Sequence, residues 1–194
     1  MATTTSATRL WNVPNTLTMG RLFLAVIVLA FISAGWYFSA LVAFAIASST
    51  DALDGYIARR LNQVTALGRQ LDPLVDKIIV LGAFIFLLAV PGTGLAPWMV
   101  TVVVLRELVI QALRSHLEGQ GMAFGAKWPG KVKTTFQCLA ISAILACLWL
   151  GAPQPWLMGR DGLVWISIAL TLYSGLDYLA GAMTLLRGDA APLR

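Results

Sequence analysis

Apolar runs of about 20 residues recur along this chain, the length an α-helix needs to cross about 30 Å of hydrocarbon. In "RLFLAVIVLAFISAGWYFSALVAFAIASS" (21–49) the only charge is Arg21. Charged residues make up 12% of the chain, half of what a soluble domain carries, which is about a quarter. The sequence therefore reads as an all-α, polytopic integral membrane protein.

The runs predict six transmembrane helices, at about 15–34, 38–60, 70–91, 95–117, 130–151 and 161–187. Breakers separate several of them: "SAGWY" after the first, "PGTGLAP" between the third and fourth, and "GAPQPW" after the fifth. The first run is longer than a signal-peptide core and has neither a basic leader nor a small-residue cleavage site, so it reads as retained. No internal repeat is visible, and residues 1–194 read as one transmembrane domain preceded by a short cytoplasmic segment, about 1–14.

Charge fixes the expected orientation. Arg59, Arg60, Arg69, Arg114, Lys127, Lys131, Lys133 and Arg187 fall before helix one, between helices two and three, between four and five, or after six. The opposite connections offer only Arg160, beside Asp161. The positive-inside rule then puts both termini in the cytoplasm, and with no eukaryotic transit peptide visible the expected location is a bacterial inner membrane. Trp36, Trp98, Trp149 and Trp156 mark one interface, Trp11 and Trp128 the other. Cys138 and Cys147 are too far apart on one helix to bridge. The net charge of +5 suits contact with anionic lipid headgroups.

Against this background the stretch "TDALDGYIARRLNQVTALGRQLDPLVDK" (50–77) is anomalous: it holds four of the nine acidic residues, Asp51, Asp54, Asp72 and Asp76. Helical spacing puts Asp51, Asp54, Gly55 and Ala58 in one sector, and Gly68, Asp72 and Asp76 in one stripe. An antiparallel hairpin would turn the two stripes together, with the small residues permitting close approach. Like charges about 4 Å apart at an effective dielectric near 20 repel by about 4 kcal/mol. Either some of these carboxyls are protonated, or cations sit among them. An all-oxygen ligand set favours Mg²⁺ or Mn²⁺ over zinc or copper; Ca²⁺ fits the ligand type as well. Four carboxylates suffice for two divalent cations, an arrangement that acts on phosphate oxygens. An ion or proton pathway, or pairing of Asp51 or Asp54 with Arg59 or Arg60, are the rival readings of the residues alone.

The spacing Asp51-x-x-Asp54-Gly55-x-x-Ala58-Arg59-x8-Gly68-x3-Asp72-x3-Asp76 resembles the signature of the CDP-alcohol phosphotransferase family at every fixed position. "VPNTLTMGRLFL" (13–24), "RELVIQALRSHL" (106–117) and "GKVKTTFQ" (130–137) resemble blocks of the bacterial subgroup that makes phosphatidylglycerophosphate. The resemblance touches helices one to five and finds no diagnostic motif in the last 50 or so residues. It implies a six-helix membrane enzyme, usually a homodimer, that transfers a phosphatidyl group from CDP-diacylglycerol to sn-glycerol 3-phosphate and releases CMP. It further implies that Asp51, Asp54 and Asp72 are metal ligands and that Asp76 is both ligand and general base. Gly55, Ala58 and Arg59 would line the cytidine-diphosphate pocket, and Gly68 would keep the turn into helix three tight. No nucleic acid partner is expected.

A phosphorylated acceptor needs cations of fixed geometry, and Arg grips phosphate through two parallel hydrogen bonds where Lys acts as a point charge. Arg21, Arg106, Arg114, Lys131 and Lys133 are the candidates. Each has a structural reading too: Arg106 could pair only with Glu107, and the lysines could only snorkel to headgroups. His116 reads as a solvated loop residue, Gly130 as the turn launching helix five, and Asp177 as a packing partner. The rival acceptors are inositol phosphate, serine and phosphatidylglycerol, and the rival from another class is a divalent-cation transporter.

Overall fold

The computed structural model describes the backbone of residues 13–61, 66–119 and 128–186, and side chains within 19–49, 77–117 and 130–185 together with Gly119 and Trp128. The described residues form six α-helices: α1 (Val13–Ser33), α2 (Tyr37–Leu61), α3 (Ala66–Leu88), α4 (Pro97–Gly119), α5 (Trp128–Leu150) and α6 (Gln154–Leu186). The all-α expectation holds, and the three breaker segments are turns built on left-handed glycines: Gly35, then Gly92 and Gly94, then Gly151. These connections need φ > 0, which glycine adopts without a Cβ clash.

Two boundaries differ from expectation for one reason. Pro155 belongs to the breaker expected before helix six, yet α6 starts at Gln154, seven residues earlier than about 161. Gly130, expected as the launching turn, lies inside α5, which starts at Trp128 with Pro129 next. Proline lacks the N–H that the first turn leaves unused and has the helical φ, so both prolines sit where a helix begins. His116 is also corrected: it lies in the last turn of α4, where an imidazole suits the negative end of the helix dipole.

α1 packs against both α2 and α3, α5 runs along α6 and touches α2, and α4 packs on α6 and α3. The three turns gather at one end. Trp149, at the end of α5, stacks on Phe38, at the start of α2, with ring centroids 4.6 Å apart. Arg160, near the start of α6, donates to the carbonyl of Gly92 in the α3–α4 turn and to Asp161 Oδ1 at 2.7 Å. Arg160 is therefore a buried clasp between α6 and the α3–α4 turn. Trp36, Trp98, Trp149 and Trp156 are exposed at this end.

Inside, Val28, Ala40, Phe44, Ala83, Phe84, Val103, Ile141 and Ile144 belong to one apolar cluster nearest that end. Small residues such as Ala40, Ala83 and Ala140 are fully buried and let helices approach, as packing in lipid requires when transfer from water gives no driving force. Outward lie large apolar side chains, among them Phe23, Val26, Ile46, Leu108 and Leu172. A second, smaller cluster joins Ile110 and Leu117 of α4 to Tyr178 and Ala182 of α6. Between the two clusters runs a buried polar layer: Glu107, Lys133, Gln137, Thr171 and Ser174.

Among the described residues, two helices are long and apolar enough to span by length and composition alone, Gly130–Leu150 and Gln154–Leu185. α1, α2 and α3 contribute shorter apolar stretches, Met19–Ser33, Tyr37–Ser49 and Lys77–Leu88, while α4 carries Arg106, Glu107 and Arg114 within its length.

Candidate active site

With the three turns at one end, α2 leaves that end and α3 returns to it. The α2–α3 connection, 62–65, lies outside the described residues, but four residues can separate the ends of the two helices by no more than about 18 Å. Asp54 lies about two turns before the end of α2, and Asp72 a little under two turns into α3. The backbone therefore carries the two aspartate pairs at matching levels, remote from the turn-bearing end. The side chains of Asp51, Asp54, Gly55, Ala58, Arg59, Gly68, Asp72 and Asp76 lie outside the described residues. Among the described residues, no three His, Cys, Asp or Glu side chains are grouped as metal ligands.

The described part of this end is the polar layer, and Glu107 is its centre. Lys133 Nζ of α5 donates to Glu107 Oε1, Arg106 Nη1 donates to the same oxygen at 3.1 Å, and Lys77 Nζ of α3 stands 3.9 Å from Oε2. Lys77 also donates to Gln111 Oε1 at 2.6 Å. Lys77 follows Asp76 directly, so these contacts tie the Asp76 turn of α3 to α4. Gln137 Nε2 closes the layer towards α6 by donating to Thr171 Oγ1 at 3.0 Å.

Arg106 and Arg114 both turn towards α6. Arg106 Nη2 donates to Ser174 Oγ at 3.0 Å, and Arg114 Nη2 donates to the Tyr178 hydroxyl at 3.2 Å. Their guanidinium carbons lie 5.5 and 5.8 Å from the centroid of the Tyr178 ring. Both Nε atoms are buried without a hydrogen-bond partner among the described residues. Arg106, Lys77 and Lys133 set three cations around one carboxylate, Glu107, and Arg114 joins this group through the Tyr178 ring that it shares with Arg106.

Of the five expected acceptor-site cations, the structure brings Arg106, Arg114 and Lys133 into this network. Lys131, two residues before Lys133, is exposed, since two helical steps turn it about 200° away. Arg21 is half-buried on α1. Sequence reasoning treated Glu107 as a side issue and passed over Lys77, Ser174 and Tyr178. A signal for α6 was present: Val164, Ser167, Thr171, Ser174, Tyr178 and Ala182 follow helical i+3/i+4 spacing, and all are buried. Cys138 and Cys147 are free thiols, as expected.

The sequence pattern of CDP-alcohol phosphatidyltransferases matches residues 11–173. The chain belongs to the CDP-alcohol phosphatidyltransferase family. This is the family its aspartate signature resembles, and it is membrane-embedded. Similar proteins extend along nearly the whole chain. A Bacillus subtilis (strain 168) protein named CDP-diacylglycerol–glycerol-3-phosphate 3-phosphatidyltransferase is 35% identical over 187 residues, covering 88% of this chain and 95% of its own. Proteins of the same name from Salmonella choleraesuis (strain SC-B67) and Escherichia coli (strain K12) are 35% and 34% identical, covering 92% and 89% of this chain and 97% and 95% of their own.

Proposed function

We propose that this chain is a transferase that moves the phosphatidyl group of CDP-diacylglycerol to sn-glycerol 3-phosphate, giving phosphatidylglycerophosphate and CMP. The observation that carries the reading is similarity along about nine-tenths of the chain to proteins named for that reaction. A basic, buried network fit for a phosphorylated acceptor accompanies it.

An alcohol is a poor nucleophile, so a carboxylate must take its proton as the oxygen attacks phosphorus. Asp76 is assigned that role. The acceptor oxygen forms a bond to the lipid-borne phosphorus, the bond from that phosphorus to the CMP oxygen breaks, and the proton passes to Asp76. Divalent metal is general in the family. The hard-oxygen set Asp51, Asp54, Asp72 and Asp76 suits two Mg²⁺ or Mn²⁺ ions, which would neutralise charge on the diphosphate. Gly55, Ala58, Arg59 and Gly68 are assigned to the CDP moiety. Arg106 and Arg114 are assigned to the acceptor phosphate, with Lys133 and Lys77 sustaining the positive field through Glu107. Arg21 and Lys131 are placed at the rim of this pocket.

The same reading takes all six helices as spans, with both termini and the site on the cytoplasmic side of a bacterial inner membrane, and the chain as a homodimer. Its support is the basic bias of one set of connections and the apolar side chains exposed along the helices. Such a site lets the acyl chains stay in lipid while glycerol 3-phosphate stays in water.

The test is CMP release by the purified protein supplied with CDP-diacylglycerol. Release should require glycerol 3-phosphate, stop on chelation, and return with Mg²⁺ or Mn²⁺. Release driven better by inositol phosphate or phosphatidylglycerol would reassign the acceptor. Cation flux into liposomes without CMP release would replace the enzyme by a transporter.

A further inference from the structure

The last helix carries none of the motifs above, yet three of its residues are fitted to Arg106 and Arg114. Ser174 Oγ donates to the carbonyl of Thr171 at 3.1 Å. Its one proton is thereby committed, and its oxygen is left to accept from Arg106 Nη2. At Gly175 the Arg106 stem lies flat on the helix: a Cβ there would stand 3.1 Å from Arg106 Cγ, closer than packed carbon atoms prefer. Tyr178, one turn on and buried, offers its ring to both guanidiniums and its hydroxyl to Arg114. Arg106 and Arg114 are eight residues apart on α4, about 12 Å along the axis, and this one ring lies within reach of both heads.

We propose that Ser174, Gly175 and Tyr178 form a positioning cradle on α6 that orients Arg106 and Arg114 for the phosphate of the acceptor. The inference rests on the assignment of these two arginines to the acceptor. All three cradle residues lie beyond residue 173, where the match to the family pattern ends. The cradle touches neither substrate; it acts through the arginines. It therefore sets how tightly a phosphorylated alcohol is held, and leaves the CDP-lipid contacts alone.

Steady-state CMP release by the full-length protein, with each substrate varied in turn, tests this. Gly175→Ala displaces Arg106 and should raise the KM for glycerol 3-phosphate about tenfold, with the KM for CDP-diacylglycerol unchanged. Tyr178→Phe keeps the ring and removes the hydroxyl that accepts from Arg114. It should raise the acceptor KM about threefold, and it supplies the reading if the alanine variant does not fold. Gly162→Ala, on the same helix with open space around its Cβ position, should change neither. Folded variants with an unchanged acceptor KM, or with both KM values raised alike, overturn the cradle. Wild-type release that ignores glycerol 3-phosphate overturns the acceptor reading itself, whatever the variants do.

Discussion

Glu107 of α4 and Lys133 of α5 form an ion pair buried between the two apolar clusters, with 7% and 3% of their side chains exposed. Each lies where its charge alone would be prohibitive, and each is tolerated because of the other. Arg106 and Lys77 lean on the same carboxylate. One acidic residue thus organises cations from three helices.

Removing that carboxylate alone costs more stability than removing it together with Lys133. Glu107→Gln should lower unfolding stability in detergent by about 3–5 kcal/mol, because Lys133 keeps its charge without a partner. Combining Glu107→Leu with Lys133→Met should recover the part of that loss that comes from Lys133, while Arg106 and Lys77 still lack that carboxylate and acceptor-dependent CMP release stays low. Denaturant titration of the single and double variants measures the difference.

Asp76→Asn keeps the shape of the assigned base and removes its ability to take a proton. CMP release should fall at least about 100-fold, the low end of what general base catalysis contributes. Binding of CDP-diacylglycerol, followed by equilibrium titration, should persist. Turnover within a few-fold of wild type would remove Asp76 from that role.

Arg106→Lys keeps the charge and loses the fork. A single ammonium has no counterpart to Nη1 on Glu107 and Nη2 on Ser174 held at once. The KM for glycerol 3-phosphate should rise about tenfold or more, with a smaller change for the CDP-lipid, in the same CMP-release assay.

The clasp at the opposite end supplies a contrast. Gly92 and Gly94 both have positive φ, 79° and 73°, so alanine at either is strained by about 1 kcal/mol or more. Only at Gly94 would the new Cβ also meet Arg160 and Asp161; at Gly92 it meets open space. Gly94→Ala should therefore lower the melting temperature more than Gly92→Ala. Both should leave the two KM values unchanged, because the clasp is remote from the polar layer.

Helix number, the three glycine turns and the aspartate spacing were all legible because each is local. Hydropathy over some 20 residues, a glycine at a turn, and offsets of three and four residues do not depend on what packs against them. Where local reading failed, at Pro155 and Gly130, it took proline as a stop when proline also serves as a start. The aspartates announced themselves as charge in an oily chain. Glu107 and Tyr178 did not, because an acid beside an arginine and an aromatic in an apolar helix both have ordinary explanations.

The sequence by itself determined the membrane class, the helices and the acidic signature, since covalent spacing and hydropathy are properties of one segment at a time. Only the tertiary structure decided that Lys133 turns inward and Lys131 outward, that three cations share Glu107, and that α6 holds two arginines of α4. Those choices depend on how each helix is rotated against its neighbours. At about 100° per residue, that rotation is fixed by the packing of all the helices together.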